Sequence, residues 1–382
     1  VLNVRGAARV NALQRAAVEE SRLGIPLLFA FDVIHGYRTI FPIPLGLAAT
    51  WDPAAVEEAA AIAAAEARAA GVHWTFAPMV DIARDARWGR VAEGAGEDPF
   101  LGAAMAAAAV RGFQGGDYAR PDRVMATAKH WVAYGAAEAG RDYNTVDLSE
   151  RTLRTVYFPP FKAAVDAGVG SVMTAFNEIN GVPASANPFT LATVLRGEWR
   201  FGGLVVSDYR SVAELVPHGV ARDEADAARQ ALAAGVDVEM VSRTFAEHVP
   251  RLIAAGRLPA AAVDRAVRRV LGAKLRAGLF DAPYADEARE RATLLLPEHR
   301  AAARRLAARA MVLLQNDGVL PLDPALPSLA VIGPLADDRR NMMGNWIGDG
   351  RDEDVVTVLE GIRAAVSPAT LVIHARGARL DL

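Results

Sequence analysis

GGLVVSDYRSV, residues 202–212, runs three apolar residues into a polar pair with an aromatic directly behind. Leu204, Val205 and Val206 suit a strand that is hydrophobic on both faces, as strands of a parallel sheet are. Its polar end, Ser207 and Asp208, then falls at the carboxyl edge of the sheet, where α/β folds put their chemistry. Asp is also a favoured helix N-cap. The stretch by itself therefore leaves Asp208 open between a cap and a functional carboxylate.

The rest of the chain repeats the pattern. Short apolar runs ending in a polar residue recur as PLLFAFD (26–32), WTFAPMVD (74–81), VMATAKH (124–130), SVMTAFN (171–177), LVVSD (204–208) and VDVEM (236–240), and the opening VLNV reads as another. Helical patterns lie between them. In WDPAAVEEAAAIAAAEARAAG (51–71), Asp52 reads as the N-cap, Pro53 as the first helical residue and Gly71 as the stop. FKAAVDAG and DEADAARQALAAG likewise close on Gly168 and Gly235. Repeated β-then-α units imply a parallel sheet. Six or seven of them over a span of roughly 250–290 residues favour a (β/α)8-like TIM barrel over a doubly wound sheet. No eighth strand is legible after Met240, and the helical pattern 260–280 reads as the end of the barrel.

All six runs finish on residues able to ionise or hydrogen-bond: Asp32, Asp81, Lys129 with His130, Asn177, Asp208 and Glu239. Such endings in register around one barrel face make a site, which favours a catalytic or binding role for Asp208. Between two runs lies RDARWGRVAEGAGEDP (84–99), whose charges would ordinarily face water. Trp88 among Arg84, Arg87 and Arg90 instead suits a structured loop, since an Arg fork binds oxygen-rich partners in fixed geometry. Lys129–His130 has two readings: a Schiff-base lysine, as in an aldolase, or a pair of hydrogen-bond donors to sugar hydroxyls. The seven histidines show no paired ligand spacing, so no metal is expected.

Composition bounds the alternatives. Of 382 residues, 52% are hydrophobic and 23% charged, enough for a sizeable core. A formal net charge of −3 offers no electrostatic case for nucleic acid or an anionic membrane surface. The absence of cysteine excludes disulfides and thiolate metal sites. No stretch approaches the roughly 18 apolar residues of a membrane span, and the opening VLNVRG carries no signal peptide. The polar stretch DAPYADEARERA (281–292) opens a connection to a second α/β unit, which PEHRAAARRLAARAMVLLQNDG, LAVIGPLAD, TVLEGIRAAV and TLVIHARG spell as helix, strand, helix and strand. The expected division is a barrel at 1–282, a linker at 283–300 and an incomplete α/β sandwich domain at 301–382.

Taken together, IPLLFAFDVIHGYRTIFPIPLG, DIARDARWGRVAEGAGEDP, KHWVAYG, VMTAFNEINGVPA and GLVVSDY resemble glycoside hydrolase family 3, the β-glucosidase and β-xylosidase family, in order and spacing. AARAMVLLQNDGVLPL and AVIGPLAD resemble its second domain, so the resemblance covers almost the whole chain, nearest the bacterial periplasmic β-glucosidase branch. It implies a retaining, exo-acting β-glycosidase without cofactor, periplasmic or secreted. Asp208 would be the nucleophile, with Asp32, Arg87, Lys129 and His130 as sugar ligands and Tyr209 as an aromatic beside the sugar. Lys129 and Arg87 would then hold the Asp208 carboxyl down. Ala86 stands where the family usually has proline. The family's N-acetylglucosaminidase branch carries a histidine-bearing loop after the K-H pair. WVAYGAAEAGRDYN (131–144) has no histidine, which disfavours that branch. In the glucosidase branch the acid/base is a glutamate on a second-domain loop beyond residue 382, and neither Glu178 nor Glu239 matches it. Glucose or xylose preference stays open, as do a Schiff-base aldolase and a non-catalytic sugar-binding barrel.

Overall fold

A computed structural model describes residues 1–380. Its first body is a TIM-barrel-like wall of parallel strands. They are β1 (Ala30–Phe31), β2 (Trp74–Thr75), β3 (Thr127–Trp131), β4 (Ser171–Thr174), β5 (Leu204–Tyr209) and β6 (Val238–Met240). β3, β4, β5 and β6 form one parallel sheet, and β1 pairs with β2. Parallel bridges Leu2↔Ala30, Trp74↔Met125 and Met79↔Lys129 join these pieces into one continuous wall beginning at Leu2. The opening VLNV thus contributes the expected additional position.

Two of the runs make less regular strand than their apolar length suggests. Segment 74–81 passes through Pro78, which has no N–H to give to a ladder; beyond Thr75 it is held by single bonds such as Val80 N–H to the Lys129 carbonyl, 2.7 Å. Among the described residues no further strand joins the barrel wall after Met240. Ala273, Ala277 and Leu279, at and after the end of a helix at Ala260–Arg276, instead join the inner cluster formed by Leu28, Trp74, Met125, Met173, Leu204 and Val206.

The helices pack outside. α1 (Pro53–Ala69) starts as the sequence predicts: the Asp52 carboxylate accepts from the Ala54 N–H at 2.9 Å with Pro53 behind it. α2 (Pro99–Gln114) begins the same way on Asp98. The two helices cross on alanine and glycine: a Cβ on Gly112 would stand 2.4 Å from the Glu57 carbonyl oxygen.

The second body begins with a helix at Pro297–Arg309, shorter than the expected pattern, and Met311–Leu314 beyond it are exposed and irregular. β7 (Ser328–Ile332) and β8 (Leu371–Ala375) then pair in parallel. The segment between the bodies is bound rather than loose. Its Ala285 and Glu290 bond to Asn11 and Ala7, and its Leu295, together with His299 of the helix that follows, donates to the buried Glu66 carboxylate. Glu66 also takes bonds from Arg38 and Thr39. Burial opposes its charge, but these donors hold its carboxyl below the usual range.

Candidate active site

Asp208 is the last residue but one of β5, at the carboxyl edge of the wall, 8% exposed. The Ser207 hydroxyl oxygen accepts the Met240 N–H at 2.9 Å and so locks the end of β5 to β6. The Asp208 Oδ1 accepts only the Tyr209 N–H, at 2.6 Å, while Oδ2 is buried without a hydrogen-bond partner. Its side chain therefore caps no helix, and the cap reading of the sequence falls away.

Around it stand the other strand ends. Lys129 Nζ donates to Asp32 Oδ1 at 3.0 Å, with its ammonium 5.5 Å from the centre of the Trp346 ring. That arrangement suits hydrogen-bond donation, whereas a Schiff base needs a free neutral amine. His130 Nε2 lies 3.4 Å from Asp208 Oδ2, and its Nδ1 lies 2.8 Å from Asp81 Oδ2. Tyr209, half exposed, sits on the rim. Asn177 spends its amide on the carbonyls of Val132 and Glu178, and Glu239 is taken by the hydroxyls of Ser242 and Thr244.

Arg87 is not brought to this group. Its side chain is 71% exposed and clamps Asp85 two residues away. Arg90 turns inward instead. A 3-10 turn at Gly89–Glu93 puts Arg90 and Glu93 on one side, where they pair bidentately at 2.7 and 2.9 Å. Arg90 Nη2 then reaches His130 Nε2 at 3.2 Å, and the guanidinium lies over the Tyr134 ring. Trp88 is fully buried and fastened to Asp142 at 2.8 Å, which anchors the loop. The i,i+3 spacing of Arg90 and Glu93 was the sequence signal for this pair. Trp346 had none, because it arrives from the second body: Asn345 is gripped by His35, and Asp349 donates its N–H to the Tyr37 carbonyl at 2.7 Å.

Electrostatics departs from expectation in the same place. Burial dominates at Asp208 and pushes its carboxyl up to about 6, opposed by Lys129, the Tyr209 N–H and Arg90. The cations moderate the shift without reversing it, and Arg87 takes no part. Burial likewise lifts Asp81 to about 8 and drives the His130 imidazole well below its ordinary value, with Arg90 and Lys129 adding to the latter. The site therefore holds a neutral imidazole beside a carboxyl that ionises near neutrality. Among the described residues three metal-type ligands cluster only at Glu224, Glu247 and His248, on the helices Glu224–Ala234 and Thr244–Ala254 rather than at these strand ends.

The profile described as "Glycosyl hydrolase family 3 N terminal domain" matches residues 2–273, and that of the family's C-terminal domain matches 311–378. A periplasmic beta-glucosidase of Salmonella typhimurium is 44% identical over 97% of this chain and 49% of its own length. A beta-xylosidase of Formosa agariphila is 37% identical over 98% of this chain and 55% of its own. The crystal structure of a beta-glucosidase from Listeria innocua in complex with glucose superposes with a TM-score of 0.95 at 41% identity, covering 100% of this chain and 53% of that one. The chain thus spans about half the length of these relatives. With profiles matched in both bodies, the chain belongs to glycosyl hydrolase family 3.

Proposed function

We propose that this chain carries the nucleophile and the terminal-sugar site of a retaining, exo-acting β-glucosidase. The observation that supports it most is the buried, unpartnered Oδ2 of Asp208 beside a converging set of donors, Lys129 and Arg90, and the Asp32 carboxylate. In this reading Asp208 attacks the anomeric carbon and forms a glycosyl ester. A carboxylic acid about 5–5.5 Å away protonates the departing oxygen and then activates water. Asp32 receives sugar hydroxyls while Lys129 and Arg90 donate to them. Tyr209 and Trp346 offer ring faces to the sugar and its leaving group. We assign the proton donor to a glutamate outside residues 1–382, as the family resemblance implies, since Glu178 is held by Thr145 and Glu239 by Ser242 and Thr244. The barrel unit is assigned to 1–282 and the second unit to 301–382. A periplasmic setting follows the Salmonella relative; among the described residues no helix is long and apolar enough to cross a membrane.

The test is Asp208→Ala in the full-length protein on aryl β-glucosides. The expected result is a loss of kcat by several orders of magnitude, with azide restoring turnover and giving the α-glycosyl azide. Near-normal activity would exclude Asp208 as nucleophile. A β-xylosidase is the second reading, favoured by the Formosa relative; faster turnover of aryl xylosides than of glucosides would select it.

A further inference from the structure

The carboxyl group behind His130 has no place in the chemistry above, yet it is among the most enclosed polar groups of the barrel. Asp81 is 2% exposed, and its Oδ2 receives both the His130 backbone N–H at 2.9 Å and the His130 ring at Nδ1, 2.8 Å. A two-point grip on one residue fixes the position of its main chain and the rotation of its ring together. The other oxygen, Oδ1, is buried with no hydrogen-bond partner, so nothing else in the fold accounts for the carboxyl's presence.

The protonation pattern of the ring follows from Arg90. A guanidinium has donors only, and its Nη2 stands 3.2 Å from His130 Nε2. Nε2 must therefore present its lone pair, and the single proton of the neutral ring sits on Nδ1, facing Asp81. The partner of one ring nitrogen decides what the other can do. Here Nε2, its one lone pair turned to Arg90, is buried inside the site 3.4 Å from the Asp208 carboxylate. Two acceptors face each other with no hydrogen between them. A hydroxyl entering between Arg90 and the ring would replace their direct contact, donating to Nε2 while its oxygen accepts from Arg90.

We propose that Asp81 is a positioning residue that fixes His130 as its Nδ1–H tautomer, so that His130 serves the sugar as a hydrogen-bond acceptor rather than the donor its pairing with Lys129 in the sequence suggests. The inference rests on the glycosidase reading. The sequence ended a strand run on Asp81 but gave it no role; its contact with His130 crosses 49 positions of chain.

The test is a double-mutant cycle in the full-length enzyme, with kcat/KM measured on an aryl β-glucoside for Asp81→Ala, His130→Ala and the pair. Carboxylates that orient metal-ligating histidines change activity on the order of tenfold to a hundredfold when removed, and the same grip on His130 sets the same expectation. Asp81→Ala should lose about that much with His130 present and less than twofold in the His130→Ala background. An equal loss in both backgrounds, or no loss in either, would overturn the proposal. Asp81→Asn, which keeps the volume, runs through the same cycle if the alanine variant does not fold. Nitrogen-15 spectra of histidine-labelled protein give an activity-free readout: His130 should carry its proton on Nδ1 in the wild type, and a proton on Nε2 would overturn the inference. Asp208→Ala distinguishes the two levels. If it leaves turnover intact, the glycosidase reading fails; if it abolishes turnover while the cycle is additive, only the role of Asp81 fails.

Discussion

Arg87 and Arg90 are three residues apart in one loop and end in opposite environments, one paired with Asp85 in water and the other wedged between Glu93, His130 and Tyr134. Their difference predicts a pH effect with a definite sign. As the proposed nucleophile Asp208 must be ionised to attack, and burial pushes its carboxyl up to about 6 against the pull of Lys129 and Arg90. The kcat/KM of the full-length enzyme should therefore fall as pH drops through about 6. Arg90→Met removes one of the cations that favour the charged form, so the acid limb should move to higher pH and the plateau should drop at least tenfold. Arg87→Met should leave both the limb and the plateau in place. Equal behaviour of the two variants would contradict the geometry. At this scale the sequence was legible where strands aim side chains, as at Asp32, Lys129, His130 and Asp208. It was silent where a loop decides, because the turn at Gly89–Glu93 inverts which arginine faces inward.

The outer helices follow their sequence closely. Asp-Pro at the start of α1 and α2 and Gly at the stop are local signals, and local backbone chemistry is enough to honour them. The strands followed less well, since a run such as 74–81 is largely apolar but meets Pro78 in the middle. Helix packing carries its own prediction. Alanine at Gly112 of α2 would gain roughly 1 kcal/mol of helix propensity. Its Cβ, however, would meet the Glu57 carbonyl at 2.4 Å and the Ala60 Cβ at 2.6 Å across the crossing with α1. Backbone cannot yield as a side-chain tip can, so overpacking at about 1–3 kcal/mol should win. Gly112→Ala should lower the melting temperature by several degrees in a calorimetric scan, and an unchanged or higher value would mean that α1 and α2 slide freely.

Across the molecule the second body touches the site through one segment, 345–354. Arg38, largely buried on the barrel, holds it through Asp354 at 2.7 Å and Asp349 at 3.6 Å, and the Asp349 N–H and Asn345 carbonyl anchor it to Tyr37 and His35. This connection was not legible in the sequence, because neither end of the contact carries a periodic or motif signal. Removing one member of a partly buried ion pair leaves the other charge uncompensated, so Arg38→Ala should free the segment and raise KM for aryl glucosides several-fold with a smaller change in kcat. Steady-state kinetics on the full-length protein would decide it. The same anchoring gives the protein an optical use. Of its six tryptophans, only Trp346 lies against a lysine ammonium, that of Lys129, the proposed hydrogen-bond donor to the sugar. A cation against an indole alters the emission of that ring, and glucose bonding to Lys129 would change their contact. Binding should then be visible as a shift in intrinsic fluorescence without any added dye, and Trp346→Phe should make the protein blind to its own ligand.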